Sequence, residues 1–351
     1  MSKAIVATLK DLARSLGLSV TTVSRALGGY PEVSEQTRTR VREAAEQLNY
    51  RPNPIAQKLV SGRSGMIGLI TRGAIDTSKD TSFMEVALGI SEELAVHNLD
   101  LILRVGIEED EVEPYRRMGS KQILDALIVN APSPLDERIA WLRENGVPFV
   151  VHGRDCARPD YPYYDLNNYK VAADAVAHLT ELGHRRIALL NGPEPMEYAI
   201  ERRRGFVESM AARGLSIPQG FILHGGLEET YGHRVTPQLM NLPTVDRPTA
   251  IVCASTAIAA GALVALRGLG LEVPRDVSVM AHDDGLPQGH LGHPVGALTV
   301  TRLAFREACK PLADMVVGRL KGRPLNELQI NAEAPLLVRR STVRVTEMTN
   351  G

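Results

Sequence analysis

The sequence predicts an all-α helix-turn-helix head followed by an α/β body of two Rossmann-like lobes, and three observations carry that prediction. Two short amphipathic stretches flank Gly17, each preceded by a hydroxyl residue suited to helix capping. A segment punctuated by Pro and Gly then separates residues 1–50 from the rest. From Met66 onward, short apolar runs alternate with amphipathic segments, the rhythm of parallel sheets covered on both faces. The expected divisions are a head at 1–50, a linker at 51–65, a body at 66–345 and a tail at 346–351.

In the head, Leu9, Leu12, Ala13 and Leu16 recur at helical spacing, and Thr8 with Asp11 three residues on makes a capping-box-like start. Gly17 supplies the turn, because a residue without Cβ tolerates backbone angles that others avoid. Ser19 caps a second helix that turns Val23, Ala26 and Leu27 inward and Val20, Thr21, Ser24 and Arg25 outward. Small, hydroxyl and basic side chains on one exposed face suit a major groove, where base edges and phosphates are within reach. An ordinary helical hairpin has the same local pattern. After a loop at Gly28, Gly29 and Pro31, Ser34 caps a third helix. Its expected buried face is Val41, Ala45 and Leu48, with Arg38, Arg40 and Arg42 toward solvent.

The linker, RPNPIAQKLVSGRSG, leaves room for barely two turns of helix between Pro54 and Val60, and a helix that short is marginal on its own. Leu59 is then an exposed apolar side chain between Lys58 and Arg63. Apolar wedges flanked by positive charge open minor-groove base steps in some proteins. By pattern alone, a plain hinge with Leu59 packed on the body is the favoured reading.

In the body, MIGLI, LDLIL, DALIVN, FVVHG, IALLNG, AIVCAS and VSVMAHDD read as strands. The amphipathic segments are Met84 to His97, Asp136 to Asn145, Val171 to Leu182, Arg202 to Arg213 and Ile258 to Leu269. A Pro- and Tyr-rich stretch near Arg154 to Lys170 interrupts the rhythm and marks the expected passage between lobes. The first lobe is then about 66–164 with 297–325, and the second about 165–296 with 326–345. Asn130, His152, Arg154, Asn191, Ser255, Asp283 and Asp284 gather at the carboxyl ends of the strands, where open parallel sheets bind ligands. Such side chains suit the hydroxyls of a sugar-like molecule in a cleft between the lobes.

Charge sharpens this division. Residues 1–65 hold ten Lys/Arg against five Asp/Glu, while the remaining 30 basic and 36 acidic residues leave the body net negative. A basic head on an acidic body fits a nucleic-acid partner for the head. Cys156, Cys253 and Cys309 are few and far apart, without zinc or redox spacing, and read as buried thiols. No apolar signal region or bilayer-length apolar run is present, so a cytoplasmic, nucleoid-associated protein without a membrane partner is expected.

Together these stretches resemble the lactose/galactose-repressor (LacI/GalR) family of bacterial transcription regulators. The resemblance runs over nearly the whole chain. It is carried by TLKDLARSLGLSVTTVSRALGG, NYRPNPIAQKLVSGRSGMIGLI, HLTELGHRRIALLNGP, RRRGF, PTAIVCAS, GALVALRGLGLEVPRDVSVMAHDD and LLVRRSTV. It implies a body like the periplasmic binding proteins, and Val20 to Leu27 as the recognition helix. Val20, Thr21 and Arg25 would read bases, and Thr8, Thr22, Ser24 and Tyr50 would contact phosphates. Leu59 would be the operator wedge, which reverses the reading from pattern alone. In the cleft, Phe83 would stack on the effector, and Asn130, Arg154, Asn168, Arg202, Ser255 and Asp283 would line it.

Some residues depart from the family pattern. Ala254-Ser255-Thr256 stands where Ala-Asn-Asp is usual, His282 replaces an aromatic residue, Ser82 replaces a frequent Phe, and the loop between Arg72 and Phe83 is longer than common. Arg72, Arg154 and Arg202 together suggest an acidic or phosphorylated sugar. The expected mechanism is a repressor dimer on a near-palindromic operator, released by a small carbohydrate-like effector, with no cofactor or metal. Corepression by the effector remains open. Only VTEMTNG follows Arg344, too short for a heptad-repeat tail, so a dimer is expected rather than a tail-linked tetramer. Two rivals are weaker. A transport-type solute-binding protein lacks a reason for the basic head. An enzyme built on His282, Asp283 and Asp284 lacks a nucleophile motif, phosphate loop or metal spacing.

Overall fold

The computed structural model describes residues 7–28, 30–50, 63–71, 81–107, 109–120, 123–155, 158–285 and 295–347. The chain forms two compact units, 1–64 and 65–351. Leu59 and Lys58 of the linker, Arg72 and Cys156 lie outside the described residues, as does the Ser82 side chain.

Among its described residues the first unit has three helices, α1 (Leu9–Leu16), α2 (Val20–Leu27) and α3 (Glu35–Gln47). The Thr8 hydroxyl accepts the Asp11 N–H at 3.3 Å, and the Asp11 carboxylate accepts the Thr8 N–H at 3.0 Å, so the capping box is complete. Gly17 ends α1 at φ +65°, a left-handed conformation that a Cβ disfavours. Ser19 accepts the Thr22 N–H at 3.0 Å and starts α2. Leu12, Ala13, Val23, Ala26, Val33, Val41 and Ala45 form the core, with Leu27 and Tyr50 packed against it. Leu48 does not join them and is 38% exposed. It is the residue that ends α3, where helical spacing no longer sets the side-chain direction.

In the second unit the chain first lays down one sheet from β1 (Met66–Ile70), β2 (Asp100–Arg104), β3 (Ala126–Asn130), β4 (Phe149–His152) and β5 (Tyr163–Leu166). α4 (Thr81–Ala95), α5 (Glu113–Ser120) and α6 (Glu137–Glu144) connect the first four strands. A second sheet follows from β6 (Ile187–Asn191), β7 (Ile222–His224), β8 (Ala250–Cys253), β9 (Ser278–Asp283) and β10 (Thr299–Arg302). Its helices are α7 (Asn168–Glu181), α8 (Glu197–Ala211), α9 (Glu229–Met240) and α10 (Thr256–Gly268). The chain then returns. α11 (Phe305–Leu320) packs its Leu312 and Val316 into the core of the first lobe. β11 (Gln329–Ala332) joins the first sheet, and β12 (Leu336–Leu337) ends in the second. The orders are β11-β5-β4-β3-β1-β2 and β12-β10-β9-β8-β6-β7, parallel throughout except for β12.

The Pro- and Tyr-rich stretch holds the passage between lobes, at Asn167 between β5 and α7, and also the strand β5 itself, with Tyr161 and Tyr164 buried in the first lobe. The late segments divide differently from the expectation. β10 belongs to the second sheet although 297–325 was assigned to the first lobe, and β11 to the first although 326–345 was assigned to the second. These strands have four residues each; β10 pairs with the preceding strand β9, while β11 chooses its sheet by a long-range pairing with β5 that no local pattern records. The run LDLIL forms the edge strand β2 rather than a buried one, with Ile102 and Leu103 exposed.

Candidate functional site

The carboxyl ends of both sheets carry the expected polar residues. Asn130 and His152 end β3 and β4, Asn191 ends β6, Ser255 follows β8, and Asp283 ends β9. Parallel strands send their connections to the following helices from this one edge, so the polar loops converge there.

Arg202 is the best-fixed of these groups. It sits in α8, 6% exposed, and its Nε donates to Asn168 Oδ1 at 2.8 Å while Nη1 donates to the Ala254 carbonyl at 2.6 Å. Asn168 opens α7 and is itself held by its Nδ2, which donates to the Leu166 carbonyl at 2.9 Å. The Tyr198 ring lies 5.6 Å from the guanidinium. The glycine of RRRGF explains the approach of the two helices. A Cβ on Gly205 would stand 2.1 Å from the Tyr169 carbonyl oxygen, so only glycine lets α8 close on α7 and bring Arg202 onto Asn168. Burial pushes the Arg202 guanidinium down from its usual value, while the nearby Tyr198, Asp284 and Asp165 act the other way.

In the first lobe, His152 Nδ1 and Asn130 Oδ1 are 2.8 Å apart, so the ring nitrogen donates to the amide oxygen. Tyr164 and Phe305 flank the imidazole, each centroid at 6.3 Å. Burial lowers His152 to about 4, which keeps it neutral. Arg154 Nε donates to Asp165 Oδ2 at 2.7 Å, and its Nη2 lies 3.7 Å from Glu201 Oε2 of the second lobe. Burial, only partly offset by Arg154, raises Asp165 to about 6. Burial and then the Glu201 charge raise Glu197 to about 7.

Other expected cleft residues have different work. Phe83, in the first turn of α4, is 5% exposed within the first lobe's core and leaves little ring face for stacking. Ser255 is buried, and its hydroxyl accepts the Ile258 N–H at 3.2 Å as the cap of α10. Asp283 accepts the Gly285 N–H at 3.0 Å and pairs with Arg302. His282 is buried 3.1 Å from the Thr301 hydroxyl, and burial with the Arg202 charge holds it well below its usual value. His282 is thus engaged by Thr301 and Asp283 by Arg302. Among the described residues, no group of three His, Cys, Asp or Glu is arranged to hold a metal. Cys253 and Cys309 are both buried thiols.

Sequence reasoning missed Asp165, Glu197, Tyr198 and Glu201. Glu197 and Glu201 share a helix face with Arg202 nearby, and that i,i+4 spacing was available in EYAIERR. Asp165 was hidden in the unrecognised strand β5.

In the first unit, Val20, Thr21 and Arg25 are exposed on α2, and Ser24 and Tyr50 are half-buried. Two of the expected phosphate-binding hydroxyls already have partners. Thr8 Oγ1 donates to Asp11 Oδ2 at 2.6 Å, and Thr22 Oγ1 lies 2.8 Å from Ser19 Oγ. Their placement rests on helix capping.

The pattern of the lacI family of bacterial regulatory proteins matches residues 8–53, and that of the periplasmic binding protein-like domain matches residues 176–343. The HTH-type transcriptional regulator AglR of Rhizobium meliloti is 39% identical over 335 residues, covering 95% of this chain and 94% of AglR. The chain belongs to the lacI family. As a member it is a ligand-responsive, DNA-binding transcriptional regulator with a helix-turn-helix head, and the transport reading falls away. A solved complex of the transcriptional regulator CelR with cellobiose is 27% identical, covers 96% of this chain and 100% of its own, and superposes with a TM-score of 0.69. The lac repressor dimer bound to operator and an anti-inducer, at 24% identity, shares the fold, with a TM-score of 0.78 over 96% of this chain and 99% of its own.

Proposed function

We propose that this lacI-family regulator binds a near-palindromic operator as a homodimer and that a small neutral carbohydrate, held between the lobes, releases it. The observation that carries the effector class is the charge balance around Arg202. Its guanidinium is held by neutral acceptors and keeps its charge available to a sugar oxygen. Arg154, by contrast, is already paired with Asp165. Asp155, Asp165, Glu197, Glu201 and Asp284 surround these two arginines. Carboxylates in excess repel phosphates and uronates and accept hydrogen bonds from hydroxyls. The cleft therefore favours a neutral sugar over the acidic one that three arginines suggested. Cellobiose in the CelR complex is a sugar of this kind.

The exposed Val20, Thr21 and Arg25 fit a major groove. Dimerisation is supported by Leu88 of α4 with Ile102, Leu103, Val105 and Ile107 on and beyond the edge strand β2, all exposed. Two-fold pairing of the bodies would present two heads to two half-sites. Binding without turnover is expected of the cleft.

Selection of duplexes from a random pool, followed by titration calorimetry, tests this reading. A near-palindromic site, with heat from neutral disaccharides but none from sugar phosphates or uronates, is the expected result. Heat from anionic sugars alone overturns the effector class, and absence of any enriched duplex overturns the operator reading.

A further inference from the structure

The two lobes meet at the mouth of the cleft through charge. Arg154, just beyond β4, belongs to the first lobe and is anchored there by Asp165 at 2.7 Å. Its Nη2 reaches toward Glu201 on α8 of the second lobe, 3.7 Å away. Arg204 Nε and Nη2 hold Glu201 in place at 2.9 and 2.7 Å. One turn earlier on α8, the Glu197 N–H donates to the Pro132 carbonyl of the first lobe at 3.3 Å. The side chains of Arg154, Glu201 and Asp165 are 18%, 15% and 8% exposed, so solvent screens these charges poorly.

We propose that Arg154 and Glu201 form a latch that holds the lobes closed, and that the charge on Glu197 opposes it. The groups facing Glu197 are Glu201 on its own helix, Arg154 and Asp155 after β4, and Asp165 in β5. Among the described residues Glu197 makes no ion pair. Arg202, next along α8, spends its Nε and Nη1 on Asn168 and Ala254 instead. Glu197 already neighbours Glu201 on its own helix, where Arg204 holds Glu201, so shutting the cleft adds Asp155 and Asp165 of the first lobe, with Arg154 the guanidinium that comes with them.

Protonation of Glu197 removes that repulsion. With the lobes together it is raised to about 7, whereas in open lobes it regains water and returns toward the ordinary carboxylate range. The closed form therefore binds the extra proton. It gains on the open form as pH falls toward 5 and loses that advantage as pH rises through about 7. One proton limits the change in the closed-to-open ratio to about tenfold per pH unit. Effector capture through closure inherits this dependence, whichever ligand is captured.

The test needs neither effector nor DNA, so it stands or falls apart from the proposed function. Spin labels are placed in the full chain at exposed Glu144→Cys and Arg213→Cys, one per lobe, in a Cys156→Ser background. Cys253 and Cys309 are buried and raised well above the ordinary thiol value, and so do not compete. Pulsed electron paramagnetic resonance then reads the interlobe distance from pH 6.5 to 8.5, above the value of about 6 to which Asp165 is raised, so that Arg154 keeps its anchor throughout. The short-distance population is expected to grow as pH falls. Glu197→Gln is expected to keep it at every pH in this range, and Arg154→Gln to lose it even at pH 6.5. Glu201→Gln in the Glu197→Gln background, read at pH 6.5, tests the same pair from the second lobe and is expected to lose it too. A distance distribution unchanged across this range overturns the proposal. So does a pH shift that persists in Glu197→Gln, or closure that survives loss of both Arg154 and Glu201.

Discussion

Replacing Arg202 with methionine separates ligand binding from folding at the floor of the cleft. The substitution strips two hydrogen bonds from nearly buried acceptors, Asn168 Oδ1 and the Ala254 carbonyl. Each orphaned acceptor costs about 1–3 kcal/mol. Against this, methionine removes a guanidinium that is nine-tenths buried and bonded to no carboxylate, and the desolvation penalty of such an ion is several kcal/mol, roughly the same size. The two effects oppose, so folding stability should move by no more than about 2 kcal/mol. Effector binding has no such offset. A lost charge-assisted hydrogen bond is worth about 1.5–3 kcal/mol, or roughly 10- to 150-fold in Kd. Urea unfolding at constant m reads the first quantity, and calorimetry with the neutral sugar that releases the wild-type protein reads the second. Operator affinity without effector should be unchanged. Effector affinity within threefold of wild type, with release intact, would refute the assignment of Arg202 to the effector.

Further outcomes follow from the same geometry. Gly205→Ala forces a methyl against the Tyr169 carbonyl and should destabilise the body by about 1–3 kcal/mol in urea, with weaker effector binding as Arg202 and Asn168 part. Arg25→Ala should lower operator affinity by about 1–3 kcal/mol and relax the selected sequence at one position of each half-site. A uniformly weaker but equally selective variant would mean that Arg25 contacts phosphate instead. His184 is buried, with Nδ1 2.9 Å from the Thr249 hydroxyl and Nε2 3.1 Å from the Val343 carbonyl, and burial lowers it to about 4. The unfolded chain binds its proton first, so this contribution is complete above about pH 6.5 and is lost as pH falls toward 4, by at most ~1.4 kcal/mol per unit. A urea series from pH 7 to 4.5 should show a shallower slope for His184→Gln, and an equal slope would count against the buried neutral imidazole.

What the sequence revealed divides along the range of the forces involved. The head was legible because its signals are local. Thr8, Gly17 and Ser19 act within one turn of themselves, and each does what its neighbours imply. The strand-end polar residues of the body were legible because alternating apolar runs fix where strands end. Arg202 and Asn168 came from the family resemblance, and the helix contact at Gly205 shows why they meet. The misses lie where the partner is distant in sequence. Asp165 turns Arg154 from a free cation into half of an ion pair, and that reverses the charge expected of the effector. Phe83 and Ser255 stand at positions that suit a ligand, yet packing and capping claim them. The late strand β11 could not be assigned because it pairs with β5, laid down much earlier, whereas β10 simply pairs with β9, the strand before it.

The return of the chain to the first lobe also orders events at the ribosome. β1 to β5 emerge first, but one face of their sheet is covered only by α4 until α11 arrives, and β5 keeps a bare edge until β11 does. The second lobe is synthesised in between and closes its own sheet only with β10 and β12. Neither lobe can finish before the last part of the chain is made, so the nascent protein carries at once a first sheet with one face partly covered and two sheets whose edges are still unpaired. Stalled or truncated translation past β9 should yield aggregates rather than a folded first lobe, and the body should mature as one event after release.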